Sequence, residues 1–335
     1  MKKPLTFRPI ILVLALLLCA GDADANEIEL SYSRVPLNFE LPDQHTIDML
    51  EYRGGLSISA EDPQFGGLSS LLVSDDGKFM LAASDKGMWF SAGLDYDENG
   101  NLVGLSSAQL APINGPNGEP LTGRYRDAEG LARAEDGAVF LAFEQHHWIL
   151  RFALSGQLNA GHLTAAIPDL VTAPAELAEF NGNAAMEALV TLADGGLLIL
   201  TEGLDNERAN KPGWIVRDGA TAARLEYHRA ARFRPTGATR LADGDIIVLE
   251  RRYTLIGGVA ALLRRVTKES IQPGARLDGP ELARIAPPLT VDNMEGIAAR
   301  RNSAGRTLIY LLSDDNYSVL QRTLLLMFEL RDSAR

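Results

Sequence analysis

Five segments of the chain repeat one pattern, and a repeat at this spacing restricts the fold more than any other feature. They are 66–85, 128–144, 186–202, 235–250 and 294–314, and their starts lie about 60 residues apart. Each opens on a short motif (GGLSS, AEGLA, MEALV, PTGAT, MEGIA), then runs through an apolar stretch, a turn, a strongly apolar stretch and an acidic residue. The turns hold Asp76-Gly77, Asp136-Gly137, Asp194-Gly195 and Asp243-Gly244, with Asn302-Ser303-Ala304-Gly305 in the fifth copy. Asp-Gly between two apolar runs is a hairpin signal, because Gly adopts the positive φ that a tight turn needs. A third strand is expected after most hairpins, at 88–92, 148–154, 214–217, 259–266 and 319–330.

Repeats of this length built from three or four strands are propeller blades. The expected fold is all-β, a β-propeller of five or six blades, each a three- to four-stranded antiparallel sheet. Five opening motifs are visible; a degenerate sixth would lie near the N-terminus or in a long interblade segment. Segments 28–37 and 48–59 also have strand character and can complete the last blade, closing the ring.

The N-terminus has the features of an export signal. Lys2, Lys3 and Arg8 precede the apolar run 10–20, and Ala23-Asp24-Ala25 is a small-x-small cleavage site. Cleavage is predicted after Ala25, with residues 26–335 forming one propeller domain, periplasmic or secreted; the alternative is an uncleaved anchor. Leu18 before Cys19 disfavours lipid attachment. Cleavage removes the sole cysteine, three positive charges and two negative ones, turning a net −12 into −13. No later segment has eighteen consecutive apolar residues, so no membrane span is expected after cleavage. The 32 Lys+Arg against 44 Asp+Glu argue against a nucleic-acid partner, since a phosphate backbone needs clustered cations. The sequence does not specify an oligomeric state.

Hairpin geometry brings the start of each first strand and the end of its second to one end of the blade. Asp85, Glu129, Glu144, Glu187, Glu202, Glu250, Glu295 and Asp314 are therefore expected on one face of the propeller, with the Asp-Gly turns on the other. Converging carboxylates must be spread, protonated, paired with Arg or neutralised by a cation. Oxygen ligands favour a hard ion such as Ca²⁺. Asn183, Asn293 and Asn316 can add neutral oxygens, and Arg126, Arg251, Arg252 and Arg322 can pair with the acids or hold an anionic substrate. The bland alternative is that the acids cap strand ends. His146-His147 is expected to be a solvated loop pair or, alternatively, to supply a metal ligand or general base. Trp89, Trp148 and Trp214 are expected in blade packing. No G-x-S-x-G, H-E-x-x-H or Gly-rich phosphate loop occurs.

Several ordered motifs resemble the bacterial phytase-like family, described as having esterase-like activity. They are Phe65-Gly66-Gly67-Leu68-Ser69, Asp127-Ala128-Glu129-Gly130-Leu131, Asn183 with Met186-Glu187-Ala188-Leu189, and Arg234-Pro235-Thr236-Gly237. Leu249-Glu250-Arg251-Arg252-Tyr253, Asp292-Asn293-Met294-Glu295-Gly296-Ile297, Ser313-Asp314-Asp315-Asn316-Tyr317 and Gln321-Arg322-Thr323-Leu324-Leu325 continue the set, which covers roughly 47–330. Ala188 stands where the opening motif usually has Gly, and Gln145 where a basic residue is usual. The family is likened to β-propeller phytases, which use several Ca²⁺ ions in an acidic channel. The resemblance implies an exported, metal-assisted hydrolase of phosphate or other esters acting on a small anionic substrate. On that basis Glu129, Glu187, Glu295 and Asp314 are the expected metal ligands. Glu187, Glu250, Arg251 and Arg252 are the expected catalytic groups, and Asp127, Asn293, Asn316 and Arg322 the substrate contacts. The competing function is a non-catalytic ligand- or protein-binding propeller; a lactonase-type propeller is a third option.

Overall fold

The computed structural model describes residues 25–154, 156–180, 185–203, 210–217, 222–254 and 257–331. The proposed signal segment before Ala25, with Cys19, and Asn183 lie outside the described residues.

Five antiparallel sheets form a five-bladed β-propeller. From the axis outward, blade I contains Leu72–Val73, Phe79–Ala83, Met88–Tyr96 and Leu102–Pro112. Blade II contains Ala128–Arg133, Val139–Phe143, Trp148–Phe152 and Asp169–Val171, and blade III contains Ala188–Thr191, Leu197–Leu200, Asn210–Val216 and Ala223–His228. Blade IV contains Arg234–Arg240, Ile246–Thr254, Gly258–Val266 and Glu281–Ile285. Blade V contains Met294–Arg301, Thr307–Ser313 and Thr323–Leu330, then Leu50–Ala60 and Leu30–Arg34 from the N-terminal side. Leu50–Ala60 pairs antiparallel with Thr323–Leu330, so strands from the two ends of the domain share one sheet and close the ring.

Each blade has at least four strands, and short pieces extend three of them. Asn26–Glu27 adds to blade I, Arg276–Leu277 adds parallel to blade III, and Thr46–Ile47 pairs within blade V. The third strand of blade V starts at Thr323; Val319 and Leu320, expected inside it, are exposed loop residues.

The middle strands are apolar throughout because both their faces are covered. Alternate residues of one strand enter different interblade cores. Leu81 packs between blades I and II, whereas Met80 and Ala82 pack between V and I. Likewise Ile247 and Leu249 face blade V, whereas Ile246 and Val248 face blade III. Trp89 and Trp214 are buried in these cores, as expected of blade packing.

The Asp-Gly turns form as the sequence predicts. Gly77, Gly137, Gly195 and Gly244 all have positive φ. The carboxylate of each turn Asp accepts the backbone N–H two residues on, at 3.0 Å for Asp76 and Asp136 and 3.1 Å for Asp194 and Asp243. These Asx turns offer the backbone a local acceptor where strand pairing stops. No helix among the described residues is long and apolar enough to cross a membrane.

Candidate metal and ester site

The face opposite the turns gathers carboxylates from blades I, II, III and V. Glu129, Glu187 and Glu295 stand at the inner-strand ends of blades II, III and V. Asp85, Glu144, Glu202 and Asp314 each lie one or two residues beyond the second strand of their blade. Past the last ladder bond a side chain is released from strict alternation, so these four can turn toward the axis.

The tightest grouping is in blade II. One oxygen each from Asp127, Glu129 and Glu144 lies within 4.8 Å of the others. The backbone draws two of them together: the Glu144 N–H donates to the Asp127 carbonyl at 3.0 Å. Gln145 Nε2 donates to Asp127 Oδ2 at 2.7 Å and so fixes that carboxylate. Glu144 is buried and its Oε1 has no hydrogen-bond partner. A buried carboxylate oxygen left bare is costly, and a cation is the natural partner it lacks.

Burial and mutual repulsion push these acids upward. Burial, then Glu187, Glu295, Glu144 and Asp127, holds the Glu129 carboxyl well above the usual carboxylate range. Burial, then Glu144 and Glu202, does the same to Glu187, against the pull of Arg251. Glu144 rises to about 7, chiefly through burial, with Asp127 and Glu202 adding repulsion. Burial carries Asp314 to about 6; burial with Asp314 and Asp127 carries Asp85 to about 7. Asp127 is raised by burial, partly offset by Gln145 and Arg126. Burial is likewise the first cause at Glu295, opposed by Arg251.

Arg251 is the cationic counterweight. Its guanidinium lies 3.4 Å from Glu295 Oε1 and 3.7 Å from Glu202 Oε1, and it donates to Asn293 Oδ1. Burial alone would lower its pKa; Glu295, Glu202, Glu187 and Glu129 outweigh that and hold it above its ordinary value. Arg234 Nη1 takes the other oxygen of Glu202 at 2.6 Å. Asn293 Nδ2 donates to Glu295 at 3.0 Å and to Asp314 at 3.4 Å, linking the blade V acids.

The structure thus brings together Glu129, Glu187, Glu295, Asp314, Asp127, Asn293 and Arg251. It sets four other candidates apart. Glu250 is fully buried between blades III and IV, where Oε1 accepts from Tyr227 at 2.8 Å and Arg264 at 2.9 Å, and Oε2 accepts the Ala230 N–H at 2.8 Å. Every strong partner it needs is supplied by the fold, and its position inside Ile246–Thr254 points it at blade III. Arg252, two residues on from Glu250, alternates to the same side and sits over the Phe233 ring at 5.1 Å. Arg322 is held by Asp292 at 3.3 Å and by the Val291 carbonyl at 3.3 Å. The backbone N–H of Asn316 donates to Asp314 Oδ1 at 2.7 Å; its contribution is this cap rather than a side-chain oxygen among the acids.

The sequence placed Asp85, Glu144 and Glu202 on this face without singling them out, and it marked Arg234 and Gln145 only as motif positions, with no role at the site. Arg234 opens the inner strand of blade IV and pairs in register with Arg251, a signal visible only once the hairpin is aligned. The histidines stand outside the acid group. His146 stacks on Tyr125, with ring centroids 3.8 Å apart, and His147 Nε2 meets the Phe180 carbonyl at 3.0 Å.

Similar solved structures include a gluconolactonase of Xanthomonas campestris, at 12% identity and a TM-score of 0.42, covering 91% of this chain and 97% of that one. A virginiamycin B lyase from Staphylococcus aureus aligns at 11% identity and a TM-score of 0.40, over 90% of this chain and 100% of that one. A protein of unknown function from Dyadobacter fermentans aligns at 12% identity and a TM-score of 0.42, over 92% and 94%. No curated protein matches the chain. The family described as "Phytase-like: Esterase-like activity of phytase" matches residues 63–317, well over half of the sequence. The chain with this five-bladed acidic face belongs to the phytase-like family.

Proposed function

We propose that the protein is an exported, cation-assisted hydrolase of phosphate or other esters. The observation that carries this reading is the Asp127, Glu129 and Glu144 oxygen set with its bare, buried Glu144 Oε1. The donors are all oxygen, which suits a hard divalent ion such as Ca²⁺. When bound, such an ion supplies Lewis-acid polarisation of an ester oxygen and acidifies water.

The chain's own residues supply the rest. Burial and mutual repulsion raise the carboxyls of both Glu144 and Glu187. Such a pair can take a proton from attacking water and return one to the departing oxygen. Arg251, held by Asn293 and Glu295 and acting on Glu187, is a fixed donor for negative charge growing on the ester. Export rests on the N-terminal features of residues 1–25.

The test is a panel of phosphomonoesters and aryl esters assayed with Ca²⁺, with chelator, and with Glu187→Gln. Turnover should need the ion and should fall about a hundredfold or more in the variant. Turnover indifferent to both would overturn the proposed site. A specific partner that co-purifies with an inactive, calcium-indifferent protein would favour the binding-propeller alternative.

A further inference from the structure

Three inner strands carry the same irregularity near the axis. In blade II the ladder pairs Ala128 with Phe143 and Gly130 with Ala142, skipping Glu129. Blade V skips Glu295 between Met294 and Gly296, and blade IV skips Thr236 between Pro235 and Gly237. Each is a β-bulge, and in each the skipped residue is followed by glycine. A bulge leaves one residue unpaired, bends the strand and re-aims that residue's side chain. The shift in phase is visible in the packing. Ala128 and Leu131, three residues apart, enter the same core between blades I and II. Met294 and Ile297 do the same between blades IV and V. Regular alternation would send the members of each pair to opposite sides.

Neighbouring blades grip each bulged glutamate from both sides. Before Glu129, the Ala128 carbonyl accepts the hydroxyl of Ser69, a buried residue that leads into blade I. Before Glu295, the Met294 carbonyl accepts the Thr236 hydroxyl of blade IV at 3.0 Å. After Glu129, Gly130 lies directly against blade III. A Cβ there would come 2.8 Å from Leu189 Cβ and 3.2 Å from the Leu189 backbone N. After Glu295, a Cβ on Gly296 would come 2.9 Å from Leu71 Cβ, on the chain entering blade I. A side chain at either glycine would push two blades apart at the level of the acids.

We propose that Ser69 and Gly130 are positioning residues that set the size of the cation site, by fixing the Glu129 carboxylate relative to Asp127 and Glu144. Ser69 anchors the strand where it enters the bulge. Gly130 sets how closely the bulge stands to blade III. This inference rests on the cation-assisted reading and deepens it by naming what decides which ion fits. Selectivity among hard cations follows cavity size and the rigidity of the ligand set. A tightly held set of oxygens favours Ca²⁺ over the larger Sr²⁺, and a loosened set loses that preference.

Calorimetric titration of chelator-treated full-length protein with Ca²⁺ and with Sr²⁺ tests this. Ser69→Ala removes the grip without adding bulk. Ser69→Thr keeps a hydroxyl, as Thr236 does in blade IV. Gly130→Ala forces blades II and III apart. Ser91→Ala is the matched control: it also removes a buried serine hydroxyl, one that accepts the Ala160 N–H at 3.0 Å from the third strand of blade I. Wild type should bind Ca²⁺ more tightly than Sr²⁺. Calcium affinity should fall about tenfold or more in Ser69→Ala and in Gly130→Ala. In both, the ratio of Ca²⁺ to Sr²⁺ affinity should move toward one. Affinity and ratio should stay at wild-type values in Ser69→Thr and Ser91→Ala. A purely structural role lowers Tm and leaves the ratio alone. Should Gly130→Ala fail to fold, Ser69→Ala decides alone. Wild-type affinity and ratio in folded Ser69→Ala would overturn the inference and leave the cation reading standing. Binding of neither ion to wild type would remove the cation reading and this inference with it.

Discussion

Arg251 of blade IV places its guanidinium 3.4 Å from Glu295 of blade V, and that contact joins two blades across the most acidic part of the molecule. The pair is mostly enclosed, with side-chain exposures of 23% and 12%. Removing the cation leaves Glu295, Glu202 and Glu187 repelling one another in a poorly solvated place. Arg251→Ala is expected to cost on the order of 3 kcal/mol in the metal-free protein. Urea unfolding with chelator measures this. Saturating Ca²⁺ should recover part of the loss, because the ion replaces some of the missing positive charge.

The raised carboxyls give stability a definite pH dependence. Glu144, at about 7, binds its proton more tightly in the folded chain than at the ordinary glutamate value of 4.5 in the unfolded chain. Between those values the folded state holds more protons than the unfolded one, so stability falls as pH rises. Asp85, at about 7, and Asp314, at about 6, act in the same direction. The metal-free protein should therefore lose thermal stability steadily from about pH 5 to about pH 8. Melting curves with chelator across that range check it. With Ca²⁺ present the slope should flatten, since the ion binds the deprotonated form.

Glu250→Gln should behave unlike changes in the axial acids. It leaves Arg264, a buried guanidinium, with a weaker neutral acceptor at a position that now receives an ionic bond at 2.9 Å. A loss of about 3 kcal/mol in chemical denaturation is expected, because one partner of a buried pair keeps its charge. Below the unfolding transition, calcium affinity should stay close to that of wild type. Glu144→Gln should do the opposite, weakening calcium binding while sparing or raising metal-free stability, because it removes a poorly solvated charge.

Gly67 tests the blade I side of the face. It has φ 59°, and an added Cβ would meet the Asp85 carboxylate and the Tyr317 ring. Its N–H already donates to Asp315 at 2.9 Å, and its carbonyl accepts the Asp85 N–H at 3.0 Å. Gly67→Ala forces the Asp85 carboxylate or the Tyr317 ring to shift and puts a Cβ on left-handed backbone. It should destabilise by about 2 kcal/mol, measured by denaturant unfolding.

The ring and the side of it that carries the acids were legible because Asp-Gly turns recur with apolar strands on either side. Turn position alone then fixes which strand ends meet. The outermost strands were harder to see. Asp169–Val171 is only three residues long, and Arg276–Leu277 joins blade III from a distant part of the chain. Individual side chains were legible at or just past strand ends and not inside a long regular strand. Glu144, Glu202 and Asp314 follow their strands and turn inward, whereas Glu250 lies inside a nine-residue strand and obeys its alternation. With Ile246 and Val248 facing blade III, Glu250 and Arg252 must face it too, and Arg251 must face blade V. Motif position treats these three neighbours alike; strand phase separates them.

Calcium titration of the metal-free protein near neutral pH, compared with Glu144→Gln and Arg322→Ala, tests the central claim most directly. A saturable site is predicted in wild type, weakened about tenfold or more in Glu144→Gln and unchanged in Arg322→Ala. Absence of calcium binding to wild type, or an affinity that Glu144→Gln leaves intact, would contradict a cation held by Asp127, Glu129 and Glu144.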